Sequence, residues 1–247
     1  MEKIIRKILI SSLGFDRYLM LVSRIYLSMV HRGMLKNKYP ELFFLRHLLK
    51  PGDTCVDIGA NVGYYSTFMS KLVGPSGKVI AVEPVKLFAD LFKHNAKRWA
   101  LNNITLEQTA LGAEEGTVTM GTPRIDGVLR HGLTHIVADG EDTSNMHTYQ
   151  VPITTPQKLF ASATKIDFVK CDVEGYEVFL FPLFADLLLK HKPVLQIEIS
   201  GQDNITRMLD ILVPLGYEAH GLKEGKLVGL WNEQVLNHTS DFYFLPK

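Results

Sequence analysis

From Thr54 onward, short apolar runs alternate with amphipathic stretches, and this alternation constrains the fold more than any other feature of the chain. Thr54–Ile58, Lys78–Val82, Ile104–Leu111, Lys165–Cys171 and Pro193–Ile199 read as strands, with later ones near Tyr217–Leu222 and Phe242–Leu245. Between them, Tyr64–Val73, Val85–Leu101, Tyr176–Lys190 and Asn204–Leu215 carry apolar residues at helical spacing. Strands that alternate with helices build a mostly parallel sheet covered on both faces. The expected architecture is α/β: a three-layer sandwich around a mostly parallel seven-stranded sheet. Residues 1–49 read as an N-terminal helical extension and 50–247 as the main domain, with Lys50-Pro51-Gly52-Asp53 breaking the last helix of the extension. Residues 112–155 interrupt the alternation and read as an inserted hairpin and loop on the side where a substrate would enter.

The first strand ends in Asp57-Ile-Gly59-Ala-Asn61-Val-Gly63, which opens a helix. In open α/β sheets, ligands bind beyond the carboxyl ends of the strands, where strand order reverses. Gly59 and Gly63 let the backbone turn sharply and leave room for a close ligand. Glu83 ends the next strand, where a carboxylate can accept hydrogen bonds from ribose hydroxyls. A dinucleotide would suit this frame too, and charge decides between the two. A pyrophosphate needs bare N–H groups at the helix start, and Asp57 would repel it. S-adenosylmethionine (SAM) instead carries an ammonium and a sulfonium, for which a carboxylate is favourable. Asn61 also occupies the middle position of what would be the dinucleotide fingerprint.

Taken in order, Asp57–Gly63, Glu83-Pro84, Ala110-Leu111-Gly112, Lys170-Cys-Asp172-Val-Glu174-Gly-Tyr-Glu177 and Gln196-Ile-Glu198 resemble the motifs of the FkbM family of class I methyltransferases. The resemblance runs from about Leu48 to Pro246. It implies a Rossmann-like fold, SAM as cofactor, and O-methylation of a hydroxyl on a sugar, glycolipid or secondary metabolite. Candidate cofactor residues are Asp57, Gly59, Asn61, Gly63, Glu83, Ala110 and Asp172. Candidate catalytic residues are Asp172, Glu174 and Glu198, acids at the ends of neighbouring strands; a base assists a weak hydroxyl nucleophile. Glu177 reads as a helix-surface or capping acid. No metal site is expected, since His131-x-x-x-His135 lacks the glutamate of a zinc-protease motif.

The formal charge of +1 gives no overall field for nucleic acid, and none is expected as partner. The expected partner is a small-molecule or glycan acceptor. Cys55 and Cys171 read as reduced core thiols, which points to the cytoplasm. No transmembrane segment is expected. Ile4, Ile5, Ile8, Leu9 and Leu13, interspersed with Lys3, Arg6 and Lys7, read first as a helix packed on the domain and alternatively as a peripheral membrane helix. The rival functions on this pattern are a nucleotide-dependent oxidoreductase and a non-catalytic SAM-binding protein.

Overall fold

A computed structural model describes residues 2–231, 233–239 and 241–247. Three helices come first: α1 (Glu2–Leu13), α2 (Phe15–His31) and α3 (Pro40–Leu48). The alternating region follows as β1 (Thr54–Ile58), α4 (Tyr64–Val73), β2 (Lys78–Val82), α5 (Lys86–Trp99) and β3 (Ile104–Glu107). Next come β4 (Ala110–Leu111), β5 (Gly116–Ile125), β6 (Val128–Leu129), β7 (His135–Ile136) and β8 (Met146–Thr154), with a 3-10 turn at His131–Leu133. The chain then runs through α6 (Pro156–Leu159), β9 (Phe168–Cys171), α7 (Glu177–Leu180), α8 (Ala185–His191) and β10 (Val194–Ile197). It closes with α9 (Gln202–Leu212), β11 (Tyr217–Lys223), β12 (Lys226–Gly229), α10 (Glu233–Leu236) and β13 (Phe242–Pro246).

The main sheet has eight strands in the order β12-β11-β13-β10-β9-β1-β2-β3. The five strands β10, β9, β1, β2 and β3 pair in parallel, and β13, β11 and β12 join antiparallel. The Rossmann-like sandwich is present, with one strand more than the seven expected. The extra strand is β12, a short edge strand that reverses from β11 through Glu224-Gly225, both at positive φ. Its four residues carry too little alternation to stand out in sequence.

Two expected elements are divided. Ile104–Leu111 reads as one strand because apolar residues recur along it at Ile104, Leu106, Ala110 and Leu111, yet β3 pairs with β2 while β4 leaves for a second sheet and pairs with β8. The Thr109 hydroxyl marks the departure by donating to the Pro152 carbonyl (3.1 Å). Tyr176–Lys190 reads as one helix, but Pro182 has no N–H to continue it. The result is α7, a 3-10 turn over Phe181–Phe184, and α8.

Side chains alternate across the sheet, so each strand feeds both covering layers. Val56, Ile58, Val82, Val169 and Cys171 face one core with Phe181, Phe184, Ile205 and Met208. Cys55, Val79 and Phe168 face the other, under Leu42, Phe43, Phe68 and Met69 of α3 and α4. Both cysteines are buried free thiols. Residues 110–154 form a second sheet of five strands, built on the long antiparallel pair β5/β8.

The N-terminal helices are joined to this frame by polar contacts as well as apolar ones. Asn95 on α5 is buried and donates to the Val62 carbonyl (2.9 Å) and to Ser23 Oγ on α2 (3.2 Å). Asn95→Ala leaves that carbonyl and hydroxyl without their donor, which typically costs about 1–3 kcal/mol. Urea denaturation should show a lower midpoint at unchanged slope; an unchanged midpoint would mean that this buried amide does not bind the layers together.

Candidate active site

In sequence order the chain runs outward from β1 to β3 on one side of the sheet, then returns to β9 on the other side of β1. Strand order therefore reverses between β1 and β9, and the loops beyond these strands splay apart. A cavity of about 300 Å³ opens there. Its walls include Asp57, Gly59, Asn61 and Glu83, then Thr109 and Ala110, and Lys170, Asp172 and Glu174.

Gly59 sits at φ +80°, and a Cβ there would lie 1.8 Å from the Asp172 carbonyl oxygen. No side chain fits without moving the end of β9, so the glycine is what allows β1 and β9 to approach. Gly63, at φ +90°, caps α4 and packs against Phe92. It does not itself line the cavity; it aims the helix. Asn61, at φ +49°, donates from its amide to the His131 carbonyl (3.2 Å) and so joins the loop to the second sheet.

The Glu83 carboxylate is buried and accepts two backbone N–H groups, from Asn61 (2.8 Å) and Val85 (2.8 Å). Each carboxylate oxygen has a further lone pair for a ligand hydroxyl. Burial, opposed by these two hydrogen bonds, raises its pKa to about 7. Asp57 is buried below the loop and accepts from the Ser66 hydroxyl on α4. Burial raises its pKa, opposed by the Lys170 charge.

Lys170 is not among the candidate site residues that the sequence offers, although a lysine inside the apolar run Phe168–Cys171 is itself a signal. It is buried, and its Nζ lies 3.1 Å from Asp172 Oδ2 and 4.7 Å from the centre of the Tyr65 ring. Burial opposes its charge, but Asp172, Asp241 and Asp57 outweigh that cost and raise its pKa.

Beyond Asp172 the backbone turns through Glu174 (φ +54°) and Gly175 (φ +96°). Glu177 folds back onto this turn, accepting from Val173 N (2.8 Å) and Gly175 N (3.0 Å). It is buried and braces the turn as a capping acid does, so it is not a helix-surface acid. Glu174 stands on the cavity wall, and its pKa is raised to about 7 by desolvation, then by the charges of Asp172, Glu198 and Glu177. Glu198 does not line the cavity. It is an exposed residue just past β10, its pKa raised to about 7 by desolvation and by Asp172 and Asp241. The acids named from the sequence therefore divide into a wall pair, Asp172 and Glu174, and a neighbour outside.

Several wall residues had no sequence signal of their own. Tyr26 and Val30 of α2, Tyr39 before α3, and Leu42 within it close one side together with Tyr64. Phe88 closes another together with His131, which the sequence does mark as part of the pair His131-x-x-x-His135; their rings lie 6.0 Å apart edge to face. Burial, and then the charge of Arg6, lowers the His131 pKa to about 4, so its imidazole is neutral at ordinary pH. Two buried atoms, Asn61 Oδ1 and His131 Nδ1, lack a protein partner. Orphaned polar atoms on the wall, beside the carboxylates of Asp57, Glu83 and Asp172, fit a ligand that has both hydroxyl and amine groups and positive charge.

The pH dependence of folding tests the electrostatics. A carboxyl with a raised folded-state pKa stabilises the fold while protonated; that contribution is complete below about 4.5 and is lost as pH rises through about 7. Glu174→Gln removes the titration at similar shape. Relative to the unaltered protein, its urea midpoint should rise progressively between pH 4.5 and 7 and hold its gain above. A pH-independent difference would show that Glu174 is not desolvated.

Comparison with known proteins agrees with this geometry. A family model described as Methyltransferase FkbM domain matches residues 57–219. A protein-L-isoaspartate O-methyltransferase of Ignicoccus hospitalis is 33% identical over 58 residues, covering 24% of this chain and 28% of that protein. One from Methanosarcina mazei is 38% identical over 66 residues, covering 26% and 27%. The chain thus spans little more than a quarter of these curated relatives. Among solved structures, an FkbM methyltransferase of Methylobacillus flagellatus superposes with TM-score 0.51 at 15% identity, over 79% of this chain and 44% of that one. A structure described as a putative rRNA-methylase of Clostridium thermocellum gives 0.50 at 10% identity, over 83% and 91%. At such identities the likeness is one of fold.

Proposed function

The chain belongs to the FkbM methyltransferase family, and from that premise we propose that it methylates a hydroxyl group of a small-molecule or glycan acceptor. The cofactor is S-adenosylmethionine, which supplies an electrophilic methyl group on a sulfonium centre. The domain that does this is residues 50–247, with residues 1–49 as a helical extension and 112–155 as an insertion toward the acceptor side. Buried free Cys55 and Cys171 suit a reducing compartment, and we place the protein in the cytoplasm.

The observation that carries the reading is Glu174, a carboxyl on the cavity wall with a pKa of about 7, next to Asp172 at the end of β9. A base whose pKa lies near the working pH is partly ionised and still basic enough to accept a proton. In this reading Glu83 holds the ribose, with its carboxylate already oriented by Asn61 N and Val85 N. Asp57 and Asp172 set a negative potential for the cationic end of the cofactor, and Lys170 fixes the Asp172 carboxylate. Glu174 would accept the hydroxyl proton as the methyl passes from sulfur to the acceptor oxygen, the electron pair of the broken carbon–sulfur bond staying on sulfur. Glu198 tunes this pair from outside the wall, since its charge is felt at Glu174.

Labelled S-adenosylmethionine incubated with the protein and a metabolite or glycan extract tests the reaction. A methyl ether keeps its label in mild alkali, whereas a methyl ester releases it. Alkali-labile product would replace hydroxyl with carboxyl methylation.

Two variants separate binding from chemistry. Glu83→Ala removes a charged hydrogen-bond acceptor, worth about 1.5–3 kcal/mol, so calorimetry should show S-adenosylmethionine affinity at least tenfold weaker. Glu174→Gln should lower turnover by about 10²–10⁴-fold while affinity stays within a factor of a few. Full turnover in Glu174→Gln would remove it as the base. Gly59 is a poor probe, because any side chain there meets the Asp172 backbone and disturbs fold and binding together.

A further inference from the structure

The chain divides sharply in charge. Residues 1–38 contain eight Lys and Arg against two Asp and Glu, a formal +6. The remaining 209 residues carry nineteen against twenty-four, a formal −5. The near-neutral total conceals a basic helical pair attached to an acidic domain.

The same segment exposes apolar surface. Ile8 on α1 is 58% exposed, Leu21 and Ile25 on α2 are 42% and 50% exposed, and Met34 just beyond is 63% exposed. On α2 the two faces are distinct. Leu19, Ser23, Leu27 and Val30 are buried, and Tyr26 and Val30 wall the cavity. Arg17, Leu21, Ile25 and Arg32 follow at spacings of four, four and seven residues, which places them on one stripe of the opposite face. Arg17 and Arg32 are exposed at the two ends of the stripe, and the apolar pair lies between them. Among the described residues no helix is long and apolar enough to cross a membrane.

We propose that the outer face of α1 and α2 docks on an anionic lipid surface. Apolar side chains flanked by arginines match the chemistry of such a surface, where the apolar groups enter the acyl boundary and the cations meet lipid phosphates. A second protein copy fits less well, because its like-charged helix pair would be brought against this one in a symmetric contact. Docking in this way sets the α2 wall of the cavity next to the bilayer, with Tyr26 and Val30 on the inner face of the helix that touches lipid. The proposal concerns the surface alone and holds whatever the acceptor is.

The test is sedimentation of the full chain with vesicles of phosphatidylglycerol and phosphatidylcholine, compared with phosphatidylcholine alone. Anionic vesicles should take up the protein, less so as salt rises, and neutral vesicles should take up little. Leu21→Glu with Ile25→Glu should lower the partition coefficient at least tenfold, as should Arg17→Glu with Arg32→Glu. Val228→Glu, an exposed apolar residue on β12, should leave it unchanged. Circular dichroism confirms the fold of each variant, which the exposure of these positions should preserve. Absence of binding to anionic vesicles at low salt overturns the proposal. So does equal loss in Val228→Glu, or a dimer seen by ultracentrifugation that Leu21→Glu with Ile25→Glu dissolves without any lipid binding.

Discussion

The site depends on the close approach of two backbones, the Gly59 turn after β1 and the Asp172 carbonyl after β9. Asp172 N donates to the Ile58 carbonyl (3.0 Å), which continues the parallel ladder one step past the last paired residues. Beyond that step the chains part, one toward Asn61 and α4, the other toward Glu174 and α7. A ligand crevice follows from topology at this point, and the two backbones can meet beside it only because Gly59 has no Cβ. Glu83 then fixes the third side. Its two accepted N–H groups hold the Asn61 turn to the end of β2, so the carboxylate that is offered to a ligand also shapes the loop that surrounds it.

Beneath the crevice the parallel register lines up a polar row. Asp57 pairs with Lys170, Lys170 with Gln196, and Gln196 with Tyr243. All four are buried in a sheet whose other rows are mostly apolar. Burying a lone charge costs several kcal/mol, and burial is tolerated only with partners. For three of the four the partners are explicit: Asp57 with Ser66, Lys170 with Asp172, and Gln196 with Asp241 at 2.5 Å, while the Tyr243 hydroxyl is buried without one. Such a row is weak as a source of stability. Its use is directional, since Lys170 holds the Asp172 carboxylate at the wall while Asp172, Asp241 and Asp57 together keep the ammonium charged.

Much of this was legible in the residues, and the parts that were not share a cause. β1, α4 and β2 were read to the residue, because each is a local periodicity bounded by Gly, Pro or charge. The acids and glycines that the structure brings to the crevice stood out because few residue types suit a left-handed turn or a strand end that opens on a cavity. The split of Ile104–Leu111 was not, since apolar spacing says nothing about which strand a segment pairs with. Nor was the wall made by Tyr26, Tyr39 and Leu42: their helical stripe looks the same whether it covers a core or lines a cavity. The charge division at residue 38 was readable all along, but a whole-chain total of +1 hides it.

Backbone conformation completes the picture. Five described non-glycine residues adopt positive φ, and two of them, Asn61 and Glu174, line the cavity. That conformation is sterically costly for a residue with a Cβ, and it persists only where the surroundings enforce it. The enforcing contacts are visible in both cases. Glu83 accepts Asn61 N while the Asn61 side chain is anchored on the His131 carbonyl. Glu177 accepts the N–H groups on either side of Glu174, at Val173 and Gly175, and thereby holds the turn that presents the Glu174 carboxyl. Each strained residue thus has a buried glutamate as its brace. Both buried acids support the polar wall through backbone N–H groups, so the wall's geometry is held before any ligand arrives, which is the arrangement that saves ordering cost when binding occurs.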